Sequence, residues 1–285
     1  MKVVVYTPGD ANPEHAGVLE ALYNGIVARG DNVELRSVDD YTVSHIAVVF
    51  GVGKKGVPVS YARGEIIRKQ KEAGGQVLVL EKGYVRRDEY YAAGWGGLNN
   101  RANFRNSMMP PNRWRELGMD IIPWKTAGDA ILVCGQVPSD ASVQNVDIIH
   151  WCASTVLALK KIAPEREVIF RPHPLAINRT PTILHATMST RPLAEDLRDA
   201  VYVVTYNSNT GVDAILNGVP VYAADEGSMV WDIASHNLPD ATYPKANVLD
   251  QWAHDLAYTQ WTTEEMKEGL PWEHLTKTEA ARASG

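Results

Sequence analysis

The segment "TYNSNTGVDAILNGVPVYAADEGS", Thr205–Ser228, predicts the end of a strand, a polar turn, a short helix and a second strand in that order. Asn207–Thr210 supply the turn, and Gly218 ends the helix before the strand that starts near Val219. A strand, a helix and a strand in succession are typical of a parallel sheet with right-handed crossovers. What the turn binds has to be inferred from the rest of the chain.

This alternation of strands and helices occurs in two series. The first series predicts elements at Val3–Tyr6, His15–Ala28, Val33–Leu35, Ile46–Phe50, Ser60–Glu72 and Val77–Leu80. The second series predicts them at Ile131–Cys134, Val143–Ile162, Val168–Phe170, Leu193–Ala200, Tyr202–Thr205, Thr210–Leu216 and Val219–Ala223. Between the series lies Gly94–Lys125, rich in Gly, Asn, Pro and Arg, which predicts a long functional loop followed by a linker.

A chain of 285 residues exceeds the usual size of one compact core, so two domains are expected. We predict an α/β fold with two Rossmann-like, doubly wound domains facing a cleft, at residues 1–125 and 126–260. Residues 261–285 are predicted to form a C-terminal helix and tail. Because ligands of open parallel sheets bind beyond the carboxyl ends of the strands, those ends should line the cleft.

Composition and charge exclude several classes of protein. The formal net charge of −6 argues against wholesale wrapping of nucleic acid. Apolar runs such as Ile46–Phe50 are too short to cross a bilayer, and no secretory leader pattern follows Met1. Cys134 and Cys152 lie in apolar surroundings without metal-ligand spacing, as reduced core cysteines do. These features predict a cytoplasmic protein with no membrane partner.

One segment, Lys82–Arg115, reverses the acidic balance of the chain, with seven basic residues against two acidic ones and with aromatic residues interleaved. We call it the basic-aromatic segment. Arginines bind phosphates, and aromatic rings stack on bases or on sugars. Its candidate binding residues are Arg86, Arg87, Tyr91, Trp95, Asn99, Arg101, Arg105 and Trp114. The alternative is a solvated and partly packed surface.

The turns that follow the strands of the second series are rich in polar side chains. Candidate binding residues there are Gln136, Ser139, Arg171, His173, Asn207, Ser208, Asn209, Thr210, Asp213, Asp225 and Glu226. Helix N-terminal amides and arginine bind phosphate, whereas carboxylates accept hydrogen bonds from sugar hydroxyls. The alternative for these side chains is helix capping, which explains Ser139 or Asp140 equally well.

The turn after the first strand, Thr7–His15, contains two candidates for a general base, Asp10 and His15. The alternative is that Asp10 only caps the following helix. No His, Cys or carboxylate cluster has metal-ligand spacing, so a divalent metal is not expected. A nucleophile-elbow motif of the type GxSxG is also absent from the sequence, which removes the commonest hydrolase hypothesis.

Three motifs together resemble a known family. "GQVPSDAS" at Gly135–Ser142, "RPHP" at Arg171–Pro174 and "SNTGVDAILNGVPVYA" at Ser208–Ala223 are similar to the nucleotide-sugar-binding half of GT-B glycosyltransferases related to capsular-polysaccharide sugar transferases. The resemblance implies a donor such as a UDP-sugar held by the C-terminal domain, no prosthetic group and no essential metal. It also implies that an acceptor binds the N-terminal domain. No motif fixes the catalytic base, for which Asp10, His15 and Asp88 are the candidates.

Two further stretches, Arg86–Phe104 and Gln260–Leu275, are similar to small phage-encoded glycosyltransferases of hydroxymethylated DNA bases. This resemblance implies transfer of a sugar to the hydroxyl of a 5-hydroxymethyl pyrimidine in DNA, in the host cytoplasm, with the basic-aromatic segment on the DNA. Two alternatives stay open. One is a glycosyltransferase with a polysaccharide or other glycan acceptor, and the other is a nucleotide-sugar-binding protein without catalysis.

Overall fold

The structure is a computed structural model that describes residues 1–53, 58–124, 128–238 and 242–277. The elements up to residue 117 are β1 (Lys2–Thr7), α1 (Pro13–Ala28), β2 (Asn32–Ser37), β3 (Ile46–Phe50), α2 (Pro58–Glu72), β4 (Gln76–Lys82), β5 (Tyr90–Trp95) and α3 (Asn112–Leu117). The later elements are β6 (Ala130–Cys134), α4 (Ile148–Ile162), β7 (Glu167–Arg171), β8 (Thr187–Met188), α5 (Leu193–Asp199), β9 (Ala200–Thr205), α6 (Thr210–Leu216), β10 (Val221–Ala223), α7 (Ala246–Ala257), β11 (Gln260–Thr262), α8 (Thr263–Lys267) and α9 (Leu270–Thr276).

The chain divides into two compact units. The first consists of Met1–Arg113 together with His254–Gly285, and the second is Trp114–Ala253. Among the helices of the described ranges, none combines the length and apolarity that crossing a lipid bilayer requires.

In the first unit, six of the described strands form a sheet in the order β11-β5-β4-β3-β1-β2. β1 to β4 are parallel, whereas β5 and β11 run antiparallel to their neighbours. Side chains alternate between the two faces of a strand, so Val3 and Val5 pack with α1 while Val4 and Tyr6 pack with Ile66 of α2. Helices therefore cover both faces of the parallel strands, as expected for a doubly wound unit.

In the second unit, the described strands form a five-stranded parallel sheet in the order β10-β9-β6-β7-β8. β6 lies at its centre and is buried along its whole length. Ile131 and Val133 of β6 pack against Cys152 and Val156 of α4. Because all five strands point the same way, the turns after β6, β7, β9 and β10 meet at one edge of the sheet.

The limits of the units differ from the predicted domains. The predicted boundary between residues 125 and 126 lies outside the described residues, and the structure changes unit between Arg113 and Trp114. The C-terminal segment returns to the first unit, because β11 pairs with β5 and Trp272 enters the core beside α1. As far as residue 277, the predicted separate tail is therefore part of the first unit.

The predicted loop Gly94–Lys125 begins inside a strand. β5 pairs antiparallel with β4, placing Ala93 opposite Leu80, and both residues are buried. Gly94 lies in this strand. A side chain is excluded there, because a Cβ would lie 2.7 Å from the ring of Phe104. Further along, α3 buries Trp114 and Leu117, so the segment is anchored to packed structure at several points.

The first prediction concerns the packing of α1 against the C-terminal helices. A Cβ at Gly25 would lie 2.0 Å from the carbonyl oxygen of Met266 and 2.7 Å from the Cα of Gly269. These are backbone atoms that no side-chain rotation can move, so Gly25→Ala should lower the free energy of unfolding by about 1–3 kcal/mol. Urea denaturation followed by circular dichroism measures the change.

Gly17 on the same helix is the matched control. A Cβ at this exposed position meets nothing within 4 Å. Because alanine is the better helix former, Gly17→Ala should leave stability unchanged or raise it by up to about 1 kcal/mol. Equal losses in the two variants would contradict the close packing of α1 on the segment Met266–Gly269.

Candidate functional site

A cluster of buried polar side chains lies at the carboxyl edge of the second sheet. Gln136 follows β6, Asn207 follows β9 and Asp225 follows β10. Gln136 Nε2 donates to Asn207 Oδ1 at 2.7 Å, and Asn207 N donates back to Gln136 Oε1 at 3.2 Å. Asn207 Nδ2 donates to Asp225 Oδ1 at 2.8 Å. The fold therefore joins three predicted binding residues, and we call them the amide-carboxylate cluster.

Ser142 extends this cluster and was not among the predicted residues. Asn207 Nδ2 also donates to the carbonyl oxygen of Ser142 at 3.1 Å, and Ser142 Oγ donates to Asp140 Oδ1 at 2.8 Å. Gln136 and Asn207 are only 8% and 4% exposed, so their amides require these partners. The sequence signal that could have identified Ser142 is the Asp-any-Ser pattern of a turn closed by its own side chain.

Two backbone amides of the turn Asn207–Thr210 are bonded by nearby hydroxyl side chains. Ser208 N donates to Thr205 Oγ1 at 2.9 Å, and Thr210 N donates to Ser208 Oγ at 3.3 Å. Asn209 is the N-cap residue of α6 but makes no side-chain capping bond, and Asp213 lies in the first turn of that helix. Ser208 thus shapes the turn, and Asn207 anchors it to the amide-carboxylate cluster.

Arg171 ends β7 as predicted, but its side chain binds a buried carboxylate. Its Nη1 donates to Asp196 Oδ2 at 2.7 Å, and Ser189 Oγ donates to the same oxygen at 2.6 Å. Arg191 Nε donates to the other carboxylate oxygen at 3.0 Å. Asp196 is completely buried, so Arg171 balances a charge that would otherwise be costly.

The remaining predicted residues of the second unit lie in its turns. His173 Nδ1 accepts a hydrogen bond from Leu175 N at 3.1 Å and so caps the short 3-10 helix Pro174–Arg179. Ser139 and Glu226 are exposed. The alternative that Ser139 or Asp140 caps the next helix is wrong, because α4 begins later and Asp147 caps it.

The turn after β1 in the first unit places two of the candidate bases. Asp10 is exposed in the 3-10 helix Gly9–Ala11. The cap of α1 is Asn12, whose side chain accepts from His15 N at 3.1 Å, so the alternative that Asp10 caps this helix is wrong.

The ring of His15 stacks on Phe50 with 3.8 Å between the centroids. Burial, together with the charge of Arg63, lowers the pKa of His15 from 6.5 to about 4. His15 is therefore neutral at neutral pH.

The basic-aromatic segment is largely paired and packed. Tyr91 and Trp114 are buried, and Trp95 Nε1 donates to the carbonyl oxygen of Leu275 at 3.3 Å. Arg105 Nη1 donates to the carbonyl oxygen of Lys277 at 3.1 Å, and Asn99 lies in a 3-10 helix. Of the predicted site residues in this segment, Arg86, Arg87, Asp88, Arg101 and Arg105 are exposed, and Arg86 is paired with Glu89.

Within the described ranges, no group of three or more His, Cys, Asp or Glu residues is placed to hold a metal ion. No family model and no curated protein matches the chain. Similarity is found among solved structures.

Two matching structures are transferases of Thermosulfurimonas dismutans. One is titled KpsC, beta Kdo 2,4 transferase, with 13% identity, a TM-score of 0.57 and coverage of 89% of both chains. The other is titled KpsC, beta Kdo 2,7 transferase, with 14% identity, a TM-score of 0.55 and coverage of 95% of this chain and 98% of that one. At such low identity the likeness shows the fold alone. It confirms the predicted GT-B fold class of two Rossmann-like units.

The second prediction concerns His15. Above pH 6.5 the His15 imidazole is neutral in the folded and in the unfolded chain. Between pH 6.5 and about pH 4 the unfolded chain binds a proton at His15 that the folded chain does not bind. The native state should therefore lose stability as the pH falls through this range. His15→Phe keeps the stacking on Phe50 and removes the titration.

For a half-exposed ring we expect this loss to be about 1–2 kcal/mol larger in the unaltered chain than in the variant. Thermal unfolding of both chains between pH 7.5 and pH 4 measures it. Parallel curves for the two proteins over the whole range would mean that His15 is protonated as readily in the folded chain as in the unfolded one.

Proposed function

We propose that the chain is a glycosyltransferase that moves a sugar from a nucleotide-sugar donor to an acceptor hydroxyl. The observation that carries this proposal is the amide-carboxylate cluster, because it lies where open parallel sheets bind ligands. The fold that the chain shares with two Kdo transferases supports the same reaction class.

The donor in this proposal is a UDP-sugar bound at the carboxyl edge of the second sheet. Asp225 suits the sugar or ribose hydroxyls, because Asn207 Nδ2 and Gly227 N hold its Oδ1 in place while a carboxylate offers further acceptor sites. Exposed Glu226 is a second hydroxyl acceptor on the same turn. Gln136 acts from below by keeping Asn207 in position.

The phosphates of the donor would lie over the turns after β7 and β9. His173, Ser208, Asn209, Thr210 and Asp213 bring side chains to these turns, and Ser139 lies on the turn after β6. Arg171 is bound to Asp196 and to the carbonyl oxygen of Arg191, so its charge is balanced inside the unit and it holds the end of β7 in place. Hydrogen-bond donors fixed in advance stabilise the charge that develops on a leaving diphosphate.

In the transfer step, the acceptor oxygen forms a bond to the anomeric carbon while the bond from that carbon to the phosphate oxygen breaks. The leaving nucleotide takes the electron pair, and a base removes the proton of the acceptor hydroxyl. Asp10, His15 and Asp88 follow the ends of β1 and β4 in the first unit. We favour Asp10, because it is exposed in the turn after β1 whereas the ring of His15 is stacked on Phe50.

The proposed acceptor is a 5-hydroxymethyl pyrimidine in DNA. Support for it comes from the exposed arginines of the basic-aromatic segment, Arg86, Arg87, Arg101 and Arg105. Burial of Tyr91 and Trp114 removes two rings that were expected to stack on a displaced base. Because such rings would stack on a sugar as well as on a base, the second candidate, a glycan acceptor, stays beside the DNA acceptor.

The decisive experiment incubates the chain with labelled nucleotide sugars and an acceptor panel of hydroxymethylated DNA, unmodified DNA and oligosaccharides, read by mass. A sugar added only to hydroxymethylated DNA supports the DNA acceptor, and a sugar added only to a glycan supports the second candidate. Donor binding without turnover on any acceptor contradicts the transferase proposal and favours a nucleotide-sugar-binding protein.

The third prediction tests the amide-carboxylate cluster. Asn207→Ala leaves Gln136 and Asp225 without their shared partner, so the donor dissociation constant should rise about tenfold to a hundredfold. Isothermal calorimetry with UDP-sugars measures it. The matched control is Asn217→Ala at the other end of α6, where the side chain donates only to the carbonyl oxygen of Asp213. Similar affinities for both variants would place the donor elsewhere.

The fourth prediction tests the DNA acceptor. A plot of the logarithm of the DNA-binding constant against the logarithm of the salt concentration has a negative slope. Arg87→Ala and Arg101→Ala should each reduce the magnitude of this slope by about one, because each arginine would release about one counterion. Fluorescence anisotropy with a labelled hydroxymethylated duplex measures the slope. Arg68→Ala on α2, exposed and paired with Glu65 and Glu72, is the control. A slope that stays constant across all three variants would exclude phosphate contacts at the basic-aromatic segment.

A further inference from the structure

A fixed carboxylate lies at the carboxyl edge of the first sheet, next to the candidate bases. Glu14 is in the first turn of α1, directly after the turn that follows β1. Lys82 at the end of β4 and Tyr91 at the start of β5 both reach it. Along the chain, Lys82 is 68 positions and Tyr91 is 77 positions from Glu14. The order of the strands in the sheet brings the three residues together.

Both contacts are made to the same oxygen of Glu14. Tyr91 OH donates to Oε1 at 3.0 Å, and Lys82 Nζ donates to that oxygen as well. Among the residues that the structure describes, no hydrogen bond to the other oxygen, Oε2, is found, and the Glu14 side chain is 48% exposed. One carboxylate oxygen is thus anchored, and about half of the side chain stays accessible to a ligand.

The anchoring groups are themselves held in place. Tyr91 is 7% exposed, and its ring packs edge-on against Phe50, the residue on which His15 stacks. The ammonium of Lys82 lies 4.9 Å from the centroid of the Tyr91 ring. The hydrogen bond from Lys82, together with that from Tyr91, holds the pKa of Glu14 below its ordinary value, so the carboxylate stays ionised at neutral pH.

Asp10 and Asp88 differ from Glu14, whose position is fixed by the hydrogen bonds from Lys82 and Tyr91. Both are exposed, and neither side chain makes a hydrogen bond or an ion pair within the described ranges. A group that must orient a hydroxyl works best when its own position is set before the substrate arrives. Of these three carboxylates, Glu14 has that property.

We propose that Glu14 binds the acceptor substrate, with Oε2 accepting a hydrogen bond from a hydroxyl of the acceptor and with Lys82 and Tyr91 as positioning residues. This inference rests on the proposed glycosyltransferase function and adds an acceptor-side residue to it. The ligand chemistry is a neutral hydroxyl donor, whether it belongs to a glycan or to a hydroxymethyl group. The adjacent neutral imidazole of His15 adds no charge to the site.

The fifth prediction is the effect of Glu14→Gln, which keeps the size of the side chain and removes its charge. With the acceptor identified by the mass experiment, the KM for acceptor should rise about tenfold to a hundredfold, because a hydrogen bond to a charged group is lost. The KM for the donor should stay within twofold. Tyr91→Phe keeps the ring but removes one anchor, so it should raise the acceptor KM in the same direction by less.

Glu20→Gln is the matched control, since Glu20 is exposed on the same helix and should leave both KM values unchanged. An unchanged acceptor KM in Glu14→Gln, or an equal rise in both KM values, would overturn the role of Glu14 and leave the transferase proposal intact. Absence of any transfer by the unaltered chain would overturn both together.

Discussion

Parallel pairing of strands whose two faces are both buried is the constraint on which this protein depends. Val3 to Tyr6 in β1 and Ile131 to Val133 in β6 are fully shielded from solvent, so each strand needs helices on both sides. A chain that returns to the same end of a sheet after every strand must cross over through those helices. One result is that every turn following a parallel strand lies at the same edge, which places the polar residues of distant segments side by side.

Burial then decides how those polar residues are used. Gln136 and Asn207 are buried at the carboxyl edge of the second sheet, where an unpaired amide would be costly. They hydrogen-bond to each other, and Asn207 also donates to Asp225. Arg171, one strand further along, meets the buried carboxylate of Asp196. Residues of similar chemistry in similar turns thus have different roles: Gln136, Asn207 and Asp225 form a hydrogen-bonded cluster, and Arg171 balances a buried charge.

The sheet of the first unit is extended beyond its parallel strands, so the edge of β4 is covered. β4 would end the parallel part, and β5 and β11 extend it by antiparallel pairing. β11 comes from the far end of the chain and brings Gln260, whose Oε1 accepts from Tyr84 N at 2.7 Å. The same region contains the arginines and aromatic rings of the basic-aromatic segment. Several of these side chains, which the sequence predicted to bind a ligand, pack or hydrogen-bond within the unit instead. The exposed arginines and the anchored carboxylate of Glu14 are the groups of this region to which we assign the acceptor in our proposals.

The sequence by itself determined the strands and helices of both series, because the two-residue and 3.6-residue periods of apolar side chains are local properties. It also placed Gln136, Asn207 and Asp225 directly after strands of the second series, and turns that follow parallel strands share an edge. Only the tertiary structure decided which atoms pair at that edge, where Arg171 points and that residues 254–277 belong with residues 1–113. The physical reason is distance along the chain: Gln136 bonds a residue 71 positions away and Gln260 one 176 positions away, and such pairings leave no local pattern.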